Sequence, residues 1–207
     1  MSGVQRVIAV DLDGTLTDRD CVLRFIYREL GSLRLTKCLL RTGPSLVRAA
    51  STLDRDGVKR IVTSWLSGRH MHELRVSGRR FVEDQVLGWV RSDTLAMVER
   101  LRTPDSKVVI VSASYDVYVE VVSNALGFDG AVATRLQSHE GRATGAILGR
   151  NCRGPEKVAR LESWMSSNGI DRATTDVVAL GDSAGDNALL AYATEAVRVK
   201  RKFRWSR

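Results

Sequence analysis

At 207 residues, 43% hydrophobic and 27% charged, the chain is long enough for an α/β domain carrying an insertion and too apolar to be disordered. No stretch approaches the ~18 apolar residues of a membrane span, and the N-terminus shows no basic-then-apolar leader. The net charge of +8, carried by 26 arginines and six lysines, excludes an acidic solvating chain and raises the question of anionic partners.

Three separated cysteines, Cys21, Cys38 and Cys152, form neither a metal spacing nor an even disulfide set, so reduced thiols in a cytoplasmic setting are expected. Most of the arginines read as solvated faces. The tail Lys200–Arg207 is the basic cluster with interleaved aromatics, a short terminal segment that offers a peripheral contact to anionic membrane or nucleic acid. No specific nucleic-acid partner is expected, and nothing in the pattern sets an oligomeric state.

In chain order, Val4 to Val10 reads as a buried strand. From about Asp18 to Arg102 the period becomes helical. Val22, Phe25, Ile26 and Leu30 recur at helix spacing up to Gly31, and a second piece runs to about Leu40. Gly43-Pro44-Ser45 reads as a break with Ser45 capping Leu46 to Leu53. Asp56-Gly57 reads as a turn into Val58–Leu66, and a long amphipathic run spans about Arg79 to Leu101, with no strand in the whole stretch. After Thr103-Pro104-Asp105 strands and helices alternate: Lys107–Ser112 strand, Tyr115–Leu126 helix, Ala131–Thr134 strand, a hairpin within Arg135–Leu148, and Glu156–Asn168 helix. Val177–Leu180, Asn187–Tyr192 and Ala196–Val199 complete the pattern as strand, helix and strand. The continuous apolar runs suit parallel strands covered on both faces.

The stretch Ile8-Ala9-Val10-Asp11-Leu12-Asp13-Gly14-Thr15 sets two carboxylates two residues apart where an apolar strand ends. Residues i and i+2 of a strand point the same way, so the two acids crowd together. Like charges that close raise at least one pKa, and a divalent cation is the simplest compensation. Two further strand ends are polar: Val111 runs into Ser112, and Leu180 into Gly181-Asp182. If the strands are neighbours and parallel, these ends share the edge where such sheets bind ligands.

These segments, with Gly154-Pro155-Glu156-Lys157 and Gly181-Asp182-Ser183-Ala184-Gly185-Asp186, resemble the four motifs of the haloacid dehalogenase (HAD) superfamily, in order. The helical stretch between the first and second motifs is similar to the cap of subfamily IB, the phosphoserine phosphatase-like group. The resemblance implies a Rossmann-like parallel-sheet α/β core, residues 1–17 and 103–207, with a helical-bundle (C1-type) cap, residues 18–102. It implies Asp11 as nucleophile, forming an aspartyl-phosphate, and Asp13 as general acid and base. Ser112, Lys157 and backbone donors around Gly14 would bind phosphate. Mg²⁺ would be held by Asp11, the Asp13 backbone carbonyl and Asp182, with Asp186 beside them.

The chemistry of these residue types agrees. Phosphoryl transfer needs an in-line nucleophile, cations around the equatorial oxygens and a proton for the leaving oxygen. An acid two residues after the nucleophile fits phosphatases rather than transport ATPases, which have threonine there, or dehalogenases, which lack this acid. The implied activity is a phosphomonoester phosphatase acting on a small metabolite resembling phosphoserine or histidinol phosphate. Two alternatives stand beside it: a phospholipid head-group phosphatase of the phosphatidylglycerophosphatase type, and a non-catalytic anion-binding protein using its basic tail. Ser112-Ala113-Ser114 replaces the Ser-Gly-Gly of phosphoserine phosphatases. The cap acid and arginine that would grip an amino acid have no clear counterparts among Asp20, Glu29, Arg24 and Arg28.

Overall fold

The computed structural model describes residues 5–200; the expected strand start at Val4 and the tail beyond Lys200 lie outside the described residues. The chain begins with β1 (Gln5–Val10), α1 (Cys21–Ser51), α2 (Arg55–Ser64), α3 (Met71–Asp84), α4 (Ser92–Leu101) and β2 (Lys107–Tyr115). It continues through α5 (Asp116–Ala125), β3 (Gly130–Thr134), β4 (Leu136–His139) and β5 (Arg142–Ile147) to α6 (Pro155–Ser167), β6 (Thr175–Gly181), α7 (Asn187–Tyr192) and β7 (Glu195–Arg198).

Five strands form one parallel sheet in the order β3-β2-β1-β6-β7, and β4 pairs with β5 as a separate antiparallel hairpin. This is the Rossmann-like core expected from the sequence. Alternation along β1 shows why its apolar run is unbroken. Ile8 and Val10 join a cluster with Phe25, Phe81 and Tyr118, while Val7 and Ala9 pack with Leu161, Met165 and Leu189 on the other face. A strand covered on both faces has no solvated side to spend polar residues on.

The helical stretch after β1 shares the sheet's core. The rings of Phe25 on α1 and Phe81 on α3 lie 5.0 and 5.5 Å from Tyr118 on α5. Gly78 lets α3 close on α5, since a Cβ there would stand 2.3 Å from the Val117 carbonyl oxygen. Among the described residues 18–102 there are helices and, at His70 and Val90, single bridges to residues outside the stretch, so the expected absence of strands holds.

Several local expectations need correction. Helix α1 breaks at Gly31 as expected (φ 64°, ψ 173°), but it runs on through Gly43-Pro44-Ser45, where a second break was expected. Proline removes one donor, and the exposed side of α1 at Leu40 leaves the freed carbonyl open to water. Asp56-Gly57 is the first turn of α2 rather than a separate turn: Asp54 caps the helix by accepting from the Gly57 N–H at 2.7 Å. The run from Arg79 to Leu101 divides into α3 and α4 around a 3₁₀ turn, Val86–Trp89. There the Asp18 N–H donates to the Trp89 carbonyl and the Arg91 N–H to the Leu16 carbonyl, tying the connection to the loop after β1. Strand β2 extends to Tyr115, which sequence periodicity places at the start of a helix.

Candidate active site

Register places the site. Val10 lies opposite Ile110 of β2 and Leu180 of β6, so Asp11 emerges beside Val111-Ser112 of β2 and the end of β6, and its N–H donates to the Leu180 carbonyl at 2.9 Å. The chain then turns through Gly14, whose φ of 89° a side-chain-bearing residue rarely adopts. Thr15 returns its hydroxyl to Asp11 Oδ2 at 3.1 Å and to Asp182 Oδ1 at 3.3 Å.

Lys157, in the first turn of α6, is buried and donates from Nζ to three acceptors: Asp11 Oδ1 at 2.6 Å, Asp186 Oδ1 at 2.6 Å and the Val111 carbonyl at 2.7 Å. Asp186 is held from the other side by the Ser183 N–H and hydroxyl. Gly181 makes that approach possible, because a Cβ there would stand 2.5 Å from the Asp186 side chain. Ligand oxygens of Asp11, Asp182 and Asp186 all lie within 4.8 Å of one another.

Burial dominates the electrostatics. It pushes Asp11 up to about 7, opposed by the Lys157 charge and reinforced by Asp186 and Asp13. Lys157 is held above its ordinary value: burial acts to lower it, but the Asp11 and Asp186 carboxylates prevail. For Asp186, burial acts upward and is outweighed by the Lys157 ammonium, so its carboxyl stays below the usual range. Asp11 and Asp186 share the Lys157 ammonium, and Asp182 adds a third carboxylate beside them. Hard carboxylate oxygens so gathered fit a small divalent cation.

Asp13 faces the same pocket. Its Oδ1 accepts from the Cys21 N–H at 2.8 Å and its Oδ2 from the Ser114 hydroxyl at 2.5 Å; Ser114 in turn accepts from Tyr118. Burial, with the Asp20 charge, raises its pKa to about 6, while these hydrogen bonds act against the rise.

The pocket, about 260 Å³, is lined by Asp11, Asp13, Ser112, Lys157 and Asp186 below and by Asp20, Arg55 and Lys59 from α1 and α2 above. Asp182 meets the others through Thr15 and the acidic cluster. Ser112 is buried and accepts the Ser114 N–H at 3.0 Å. Gly14 supplies the turn: its N–H donates to the Thr17 carbonyl and its own carbonyl accepts from Arg91.

Of the four cap candidates, only Asp20 lines the pocket. Arg24 lies over Trp89, Arg28 pairs with Asp84, and Glu29 pairs with Arg69 and Ser77. Sequence reasoning missed Lys59, Ser114 and Tyr118. Lys59 is buried, its ammonium 3.6 Å from the centre of the Tyr115 ring, and among the described residues Nζ has no hydrogen-bond partner. Burial lowers its pKa to about 7 against the pull of Asp13 and Asp20. A lysine on the buried stripe of α2, among Val58 and Val62, was the available signal. For Ser114 it was the i, i+2 spacing from Ser112.

Comparison with known proteins agrees with this geometry. The haloacid dehalogenase-like hydrolase family matches residues 8–191. Protein CicA of Caulobacter vibrioides is 35% identical over 191 residues, covering 91% of this chain and 83% of CicA. A phosphoserine phosphatase of Archaeoglobus fulgidus is 32% identical over 97 residues, 47% of this chain and 28% of that one. A solved structure of a protein with unknown function from Bordetella pertussis Tohama I superposes with a TM-score of 0.80 at 19% identity, over 95% of this chain and 90% of that one. The chain belongs to the haloacid dehalogenase-like hydrolases, as an enzyme of their phosphatase type similar to the phosphoserine phosphatases.

Proposed function

We propose that the protein is a Mg²⁺-dependent phosphatase of small phosphomonoesters that works through an aspartyl-phosphate on Asp11. The observation that carries this reading is the convergence of Asp11, Asp13 and Lys157 on one small pocket, with Asp13 poised near pH 6. An Asp11 carboxylate oxygen attacks phosphorus and the ester P–O bond breaks. The leaving oxygen keeps the bonding electrons and takes a proton from Asp13. Asp13, now ionised, removes a proton from water, which attacks the same phosphorus and returns Asp11 as a carboxylate. Ser114 and the Cys21 N–H hold Asp13 in place through both steps.

Lys157 keeps Asp11 oriented and places positive charge beside the phosphoryl oxygens, with the Ser112 hydroxyl next to it. Mg²⁺, held by Asp11, Asp182, Asp186 and the Asp13 carbonyl, supplies positive charge to the transferring phosphoryl group when bound. In this reading residues 18–102 form the cap and residues 1–17 with 103–207 the core.

Lys59 bears on the substrate. A buried ammonium without a hydrogen-bond partner favours a phosphomonoester whose far end carries an anionic group. The test is phosphate release over a panel including phosphoserine, histidinol phosphate, phosphatidylglycerophosphate and p-nitrophenyl phosphate, with Mg²⁺ and with chelator. Metal-dependent release from at least one monoester is expected. Release unaffected by chelator, or from no member of the panel, would overturn the reading.

A further inference from the structure

Past the break at Gly31, α1 runs on for twenty residues, about 30 Å, without one buried side chain. Its inner face, Leu35, Cys38, Thr42, Leu46 and Ala49, is half-buried, with Thr42 accepting a hydrogen bond from the Trp65 indole at 3.2 Å. On the opposite face Leu33, Leu40 and Val47, seven residues apart, form a line at 71%, 79% and 69% exposure. At 3.6 residues per turn, Arg34, Lys37, Arg41 and Arg48 all fall along one flank of that line. No aspartate or glutamate occurs from Leu30 to Leu53. Helices in water owe most of their stability to a packed apolar face, and here the apolar stripe points outward.

We propose that this outer face of α1 docks on an anionic lipid bilayer, with Leu33, Leu40 and Val47 entering the headgroup–acyl boundary and the four basic side chains meeting lipid phosphates. Charge selects the occupant. A second copy of the chain would bring the same cations face to face with no acid in the segment to neutralise them. Nucleic acid would satisfy the cations and leave the leucines in water. The helix lies on the bilayer rather than across it, since none among the described residues is long and apolar enough to span. The proposal stands apart from the phosphatase reading, because it concerns binding alone.

The experiment is co-sedimentation of the full chain with vesicles of phosphatidylcholine, alone or mixed with phosphatidylglycerol, at low and high salt. Binding to the anionic vesicles only, weakened by salt, is expected. Neutralising three cations (Arg34→Gln, Lys37→Gln, Arg41→Gln) should weaken partitioning about a hundredfold. Leu33→Ser with Leu40→Ser should weaken it at least tenfold. All these side chains face solvent, so circular dichroism and hydrolysis of a soluble monoester should not change. Deleting residues 201–207 is the control for the tail and should leave most of the binding. Four outcomes would overturn the proposal: no anionic binding, equal binding to neutral vesicles, loss only on deleting the tail, or a concentration-dependent dimer abolished by Leu40→Ser. RNA binding that requires the same cations, without vesicle binding, would overturn it as well.

Discussion

The floor of the pocket and its roof treat charge in opposite ways. On the floor, Lys157 satisfies three acceptors within 2.7 Å, and each acid it touches is further held by a threonine or serine. In the roof, Lys59 is equally buried but rests on a tyrosine ring with no hydrogen bond of its own. A fully satisfied charge network fixes geometry in advance, as transition-state stabilisation requires. A buried charge left unsatisfied costs stability and is repaired by whatever binds next to it. In the proposed reading the floor serves the reaction and the roof chooses what reacts.

Substitutions on the floor should have the largest effects. Asp11→Asn is expected to lower kcat by about 10⁴-fold or more, since it removes the proposed nucleophile while keeping the shape. Near-normal turnover in that variant, measured as phosphate release, would break the assignment of the floor. Asp13→Asn should cost about 10²- to 10⁴-fold. The loss should shrink for p-nitrophenyl phosphate, whose leaving group needs no proton. An equal loss for alkyl and aryl esters would show that Asp13 is not the acid. Lys157→Met leaves Asp11 and Asp186 facing each other without their cation. It should lower stability by about 3–5 kcal/mol in urea unfolding without metal. No change would mean that the cluster is not the tightly coupled unit described.

The roof should respond with smaller changes of opposite sign in stability. Lys59→Met is expected to raise KM about tenfold for esters with an anionic far end, and little for p-nitrophenyl phosphate. It should stabilise the fold by about 2 kcal/mol, a Tm rise of roughly 5 °C, because a buried unsatisfied charge is removed. A fall in Tm with KM unchanged would reduce Lys59 to a packing residue. The pH dependence follows. In the folded protein Lys59 titrates near 7, below its value of 10.5 when unfolded. Between those values the unfolded chain binds the extra proton, so this group's effect is to make stability rise with pH from about 7 to 10.5. Over the lower part of that range the roof loses its positive charge, and KM for anionic substrates should climb from pH 6 to pH 8. In Lys59→Arg, which stays charged, the climb should flatten.

The same contrast explains what was legible in the sequence. The floor lies at strand ends, where apolar runs stop abruptly at Asp11, Ser112 and Gly181-Asp182, and local pattern marks such places. Parallel neighbours and a shared edge followed from those runs. Gly14, three residues past Asp11, marks the turn there, and its N–H closes that turn onto Thr17. The roof was less legible because nothing local says which side of α1 or α2 faces the sheet. Asp20, Arg24, Arg28 and Glu29 looked equivalent by distance along the chain, yet three of them turn to Trp89, Asp84 and Arg69. Lys59 carries one local sign, a lysine on the apolar stripe of α2, while the pocket that stripe meets is set by tertiary packing. The break at Gly31 was legible where the helical spacing stopped, whereas Pro44 was misread: proline marks a lost donor, but an exposed helix tolerates that loss.

The most direct test of the central claim is to quench turnover of a ³²P-labelled phosphomonoester in acid and count label on the protein. The account predicts hydroxylamine-labile label on the wild-type chain, mapping to Asp11 and missing from Asp11→Asn. Hydrolysis by the wild type with no protein-bound label, or equal label on both proteins, would contradict it.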